Sequence, residues 1–104
     1  MSADNQIARI DMIDENGNPS YRVTDNVSMS YNILGLELDL TDKEQVEIIH
    51  NIWKDARVFG NRVEANVYCD ELQENNYYEY GCGHWHLNMT WEEFILLAKK
   101  IGVC

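Results

Sequence analysis

Positive charge is scarce in this chain. Eight lysines and arginines face 18 aspartates and glutamates over 104 residues, a formal net charge of −10. Such a surface repels phosphate, which argues against direct nucleic-acid binding and against docking on anionic membranes. Cysteine is sparse as well. Cys69, Cys82 and Cys104 are odd in number, form no pair motif, and follow no basic-then-apolar leader. A reducing cytoplasm is the expected compartment. No apolar run approaches the roughly 20 residues of a membrane-spanning helix. A Gly-rich phosphate loop and a Gly-x-Ser-x-Gly elbow are both missing. The 45% hydrophobic content is nevertheless that of a folded chain, and the length suits one domain.

The patterns that are present divide the chain into short elements. Gln6 to Ile13 alternates, with Ala8, Ile10 and Met12 on one face and Arg9 and Asp11 on the other. Asp14 to Ser20 is a turn built on Asn16-Gly17 and Pro19, and Tyr21 to Thr24 returns as the second strand of a hairpin. Asp25 to Asn32 is polar and reads as loop. Ile33 to Leu40 alternates again and predicts a third strand. Thr41 with Glu44 forms a capping box for a helix to Asp55 or Ala56, with Val46, Ile49, Ile52, Trp53 and Ala56 inward. Val58 and Phe59 are apolar plugs or a short strand. Asn61 and Glu64 start a second helix that buries Ala65, Cys69 and Leu72. Thr90 and Glu93 start a third, which ends at Gly102. The expected fold is α+β, with a mostly antiparallel sheet of about four strands covered on one side and three helices, in the order β-β-β-α-α-β-α.

The stretch Tyr77 to Trp91 (YYEYGCGHWHLNMTW) has the densest aromatic and metal-capable content and reads as the central strand. Cys82, His84 and His86 then share a face. Three such donors suit zinc, with Cys69 or Cys104 as a fourth, but the spacing matches no common zinc module. The plainer reading makes them half-buried polar residues and a small core filler. A Cys82–histidine nucleophile is less favoured still, because same-strand neighbours rarely hold hydrogen-bond contact and nothing marks an oxyanion hole. The chain is therefore read as non-enzymatic, with no cofactor required.

Acidic residues concentrate at Glu37, Asp39 and Asp42, at Asp70, Glu71 and Glu74, and at Asp11, Asp14 and Glu15. On a strand, Glu37 and Asp39 would stand about 6.5–7 Å apart on one face, near the spacing of phosphates along a nucleic-acid strand. Rows of this kind can occupy a nucleic-acid-binding groove, although most acidic faces serve only solubility. Tyr77, Tyr78 and Tyr80 are candidate aromatic anchors for a partner.

Five short segments also resemble a group of small phage and bacterial proteins of unassigned activity. They are Ala3-Asp4-Asn5 with Ile7, Tyr21-Arg22-Val23, Val58-Phe59, Glu64-Ala65 and Glu79-Tyr80-Gly81. Gln6 stands where that pattern has Gly, and Cys82-Gly83-His84-Trp85-His86 lies outside it. The resemblance implies a phage accessory protein made in a bacterial host's cytoplasm. The expected function is binding and inhibition of a host protein with a basic surface, such as an antiviral-defence or nucleic-acid-handling factor. Glu37, Asp39, Asp42, Asp70, Glu71, Glu74, Tyr77, Tyr78 and Tyr80 are the expected contacts. Two alternatives remain: a nucleotide-sequestering protein using Arg9, Arg22, Arg57 and Arg62, and a zinc-supported module. A homodimer is compatible with the exposed hairpin edges.

Overall fold

The computed structural model describes residues 5–28, 38–76 and 83–103. Its elements are β1 (Asn5–Ile13), β2 (Pro19–Ser28), α1 (Lys43–Trp53), β3 (Arg57–Phe59), α2 (Arg62–Asn76), β4 (Gly83–His86) and α3 (Trp91–Lys100). The fold is α+β, with three helices and one four-stranded sheet in the order β3-β2-β1-β4. Two strand pairs are antiparallel, but β4 runs parallel to β1, so the sheet is mixed. The third strand also comes after α1, at Arg57–Phe59, rather than before it.

The hairpin forms where the turn chemistry requires it. Gly17 adopts φ +82°, a conformation costly for any residue with a side chain. Asp14 organises the turn, its Oδ1 accepting from the N–H groups of Asn16 and Asn18, both at 2.9 Å. β2 continues through 25–28, which the polar composition had suggested was loop. A register shift between Gln6 and Ala8 absorbs one extra β2 residue as a bulge.

The predicted strand at 33–40 is not present at Leu38–Leu40, and residues 33–37 lie outside the described residues. The local reason is visible at Asp39. Its Oδ1 accepts from the N–H of Thr41 at 2.9 Å and from the Thr41 hydroxyl at 2.6 Å, while its carbonyl accepts from the N–H of Asp42. These short-range bonds turn the chain and compete with any ladder. The helix cap shifts accordingly. Asp42, not Thr41, caps α1, its side chain accepting from the N–H of Glu44. α1 stops at Trp53, earlier than the periodicity suggested, because Arg57–Phe59 must extend to pair with β2.

α3 matches its sequence signals closely. Thr90 and Glu93 exchange hydrogen bonds in a full capping box. Gly102, at φ +88°, closes the helix, with the N–H of Val103 on the Ala98 carbonyl and that of Gly102 on the Lys99 carbonyl.

Helices cover both faces of the sheet, not one. Ala8, Ile10 and Met12 of β1 pack with Trp85, with Val46, Ile49 and Trp53 of α1, and with Phe94 and Ala98 of α3. Trp53 is fully buried. Its indole N–H reaches the Ala8 carbonyl at 3.4 Å, and its ring meets Trp85 edge-on with centroids 5.5 Å apart. The opposite face of β1 and β2 supplies Ile7 and Val23, which α2 covers with Ala65 and Cys69. Alternation alone made β1 a half-buried strand. It is instead the buried centre of three layers, and Arg9 is buried with it.

Candidate protein interface

α2 is held to the sheet on one side and open on the other. Asn61 caps it, its Oδ1 accepting from the N–H of Val63 at 2.7 Å and of Glu64 at 3.3 Å. Ala65 and Cys69 seat it on Ile7 and Val23. Asn66 accepts from the Arg9 guanidinium at 2.5 Å. Arg9 also makes a two-point ion pair with Asp11, at 2.8 Å and 3.1 Å, and lies over the Tyr21 ring. Its charge is therefore satisfied under the helix, as a buried guanidinium requires. Toward β3 the seat is aromatic. The Phe59 and Tyr68 rings lie 5.3 Å apart, with the Arg57 guanidinium over both.

The outer side of α2 carries Val63, Val67, Asp70, Glu71 and Glu74, bordered by Glu64, all exposed. Val63 keeps 69% of its surface in solvent and Val67 keeps 49%. Among the described residues none of these four carboxylates has an ion-pair partner. Glu64, in the first turn, suits the helix, but two of the others work against it. Asp70 and Glu74 are like charges one turn apart, and no basic residue occupies the last turn. The C-terminal end of a helix already carries partial negative charge, so Glu74, in the last turn, is unfavourable by a few tenths of a kcal/mol. Between α2 and β3 opens a groove of about 340 Å³, lined by Phe59, Val63, Val67 and Tyr68 together with Arg57, Glu64 and Glu71. β3 is an end strand of the sheet, so one of its backbone edges has no strand beside it among the described residues.

The predicted contact residues separate. Asp70, Glu71 and Glu74 come together here. Asp39 and Asp42 are exposed but belong to the α1 layer across the sheet, where each serves the local turn and cap. Thr41's hydrogen bonds hold the Asp39 carboxyl below its ordinary value. The row proposed for Glu37 and Asp39 required a strand that Asp39 does not occupy, and Glu37 lies outside the described residues. Tyr77, Tyr78, Tyr80 and Cys82 also lie outside them.

His84 and His86 point to the α2 side of β4, level with Arg9 and Asp11, and both are exposed. Burial and then the Arg9 charge lower the His84 pKa, Asp11 raises it, and Arg62 lowers it again. A ring flanked by two guanidinium groups is a poor place to add a metal dication. Among the described residues no three His, Cys, Asp or Glu side chains converge. The four arginines of the nucleotide alternative do not share a pocket. Arg9 is locked under α2, Arg57 lies on the aromatic seat, and Arg22 lies on the opposite face over Trp91.

The sequence reading missed the Arg57–Phe59–Tyr68 seat and the burial of Arg9. Val58-Phe59 before a capped helix was the available signal for the first. The second had none, since Arg9 and Asp11 alternate as an exposed pair would. Compared with protein-family models, with curated proteins and with solved structures, the chain matches none.

Proposed function

We propose that this is a non-enzymatic binding protein whose outer α2 side docks on a basic surface of a partner protein. One observation carries the reading. Two exposed valines sit among four carboxylates without an ion-pair partner among the described residues, and two of these, Asp70 and Glu74, oppose the helix that carries them. A small apolar centre with a charged rim is the anatomy of a protein interface, and unpaired acids select a cationic counterpart. Local choices that oppose the fold point to a use outside it. The resemblance to phage accessory proteins supports a partner in a bacterial host, with inhibition of that partner, and occupation of a nucleic-acid-binding groove, as the effect. No described helix is long and apolar enough to cross a membrane.

The test is capture from bacterial lysate at low and then high salt, with the native chain beside an Asp70→Lys, Glu71→Lys, Glu74→Lys variant. A stoichiometric partner that the native chain releases as salt rises, and that the variant does not retain, supports the reading. Equal retention by both chains removes α2 as the contact.

A further inference from the structure

A second cavity lies on the other face of the sheet, between the β1–β2 turn and the first turn of α3. It holds about 240 Å³. Arg22, Trp91, Glu92, Asp14, Glu15 and Met12 line it. Its charges fall into two poles. The positive pole is Arg22, half-buried, with its guanidinium 4.3 Å from the centre of the Trp91 ring. Among the described residues its one hydrogen bond is long, 3.5 Å to the Trp53 carbonyl, and no carboxylate lies within ion-pair distance. Trp91 and Glu92 open α3, where backbone N–H groups have no acceptor within the helix. The negative pole is the turn, with Asp14 and Glu15. Asp14 uses Oδ1 for the turn itself and keeps Oδ2 uncommitted. Glu15 is exposed and unpaired. Burial lowers the Arg22 pKa, and Glu92, which also lines the cavity, partly opposes this without pairing with it.

We propose that this cavity binds a small zwitterion of the amino-acid class. The ligand's carboxylate meets Arg22 and the start of α3, its ammonium meets the turn carboxylates and Glu92, and an aliphatic side chain lies along Met12. The charge balance selects this class. One cation among three carboxylates disfavours a phosphate-bearing ligand, which would bring two or more negative charges. A simple cation would leave the half-buried guanidinium unanswered. The volume is below that of ordinary drug-sized pockets, which limits the ligand to a few heavy atoms beyond its charged groups.

The probes are leucine, N-acetylleucine, which lacks the ammonium, and leucinamide, which lacks the carboxylate. NMR titration of the native chain reads binding at the Arg22 Nε–H and the Trp91 indole N–H. Leucine is expected to saturate near 1 mM or below, with each analogue at least about tenfold weaker. Arg22→Met keeps an apolar stem over Trp91 and should abolish leucine binding. Glu92→Gln should weaken leucine and leucinamide severalfold and leave N-acetylleucine unchanged. The proposal fails if leucine moves neither resonance up to about 20 mM, a concentration far above any specific site of this size. It fails equally if either analogue binds as well as leucine, because one pole is then unused. These readings are made on the isolated chain, so they are independent of whether α2 binds a partner.

Discussion

Arg9 and Asp11 form a two-point ion pair, two residues apart on one face of the central strand, with the arginine sealed and the aspartate open. The arginine side chain keeps 3% of its surface in solvent and the aspartate 27%. Removing either partner therefore has unequal effects. Asp11→Ala leaves a buried guanidinium without its counter-charge and should destabilise the protein by about 3–5 kcal/mol. Arg9→Met leaves an aspartate that water can reach and should cost clearly less. Urea unfolding of the two variants gives the comparison, and a larger loss for Arg9→Met would contradict this account.

Trp53 ties α1 to the sheet by packing and by one hydrogen bond. Trp53→Phe removes the bond to Ala8 and shrinks the contact with Trp85, for an expected loss of about 1–2 kcal/mol. Trp53→Ala opens a cavity at a fully buried site and should cost about 3–5 kcal/mol. Denaturant midpoints measure both.

His84 gives the fold an acid-sensitive component. Burial and the neighbouring Arg9 and Arg62 keep its folded pKa below the ordinary value, with Asp11 only partly opposing them. Between the ordinary histidine value, about 6.5, and the lower folded one, the unfolded chain holds the extra proton. Stability should then fall as pH drops below about 6.5, before most carboxylates titrate. His84→Gln should flatten that part of the curve. A thermal midpoint of the native chain that does not move between pH 7.5 and 5.5 would contradict this.

Charge reversal on α2 should separate folding from binding. Asp70→Lys with Glu74→Lys exchanges an acidic like-charge pair for a basic one and places a cation, at position 74, in the last turn of the helix. The exchange of one like-charge pair for another is close to neutral, and the cation at position 74 should stabilise by a few tenths of a kcal/mol. The thermal midpoint is expected to hold or rise slightly while partner affinity and its salt dependence fall. A variant that unfolds more easily would mean those acids have structural partners.

The capping box of α3 can be weighed directly. Thr90→Ala breaks the bond to the Glu93 N–H and should cost about 1 kcal/mol. Thr90→Ser keeps the oxygen and should cost little, which thermal melts can resolve.

Where local chemistry alone decides an element, it was legible in the chain. Asn16-Gly17 gave the hairpin, Asn61 gave the start of α2, and Thr90, Glu93 and Gly102 gave both ends of α3. What escaped depends on distant residues. For Val58 and Phe59 the sequence leaves apolar plugs and a short strand both open, and only pairing with β2 decides for the strand Arg57–Phe59. The alternation around Leu38–Leu40 looked stronger, yet one aspartate turning back on Thr41 outweighs it. Arg9 could not be recognised as buried because a period of two separates faces without saying what covers them. At the candidate interface the acids of α2 were visible. Their grouping with Val63, Val67 and the Phe59–Tyr68 seat depends on how α2 lies over β3.

The parallel pairing of β1 with β4 also sets the order in which the molecule can be completed. The hairpin's two strands are neighbours in sequence, whereas Ala8 waits for Gly83, and Ile10 for Trp85, most of a chain length away. Closing so long a loop is slow relative to closing the hairpin. During synthesis the middle strand therefore stands with one side unoccupied until the ribosome has released the last third of the chain. In that interval the nascent protein presents its own deepest core as a bare edge, open to any strand that arrives first.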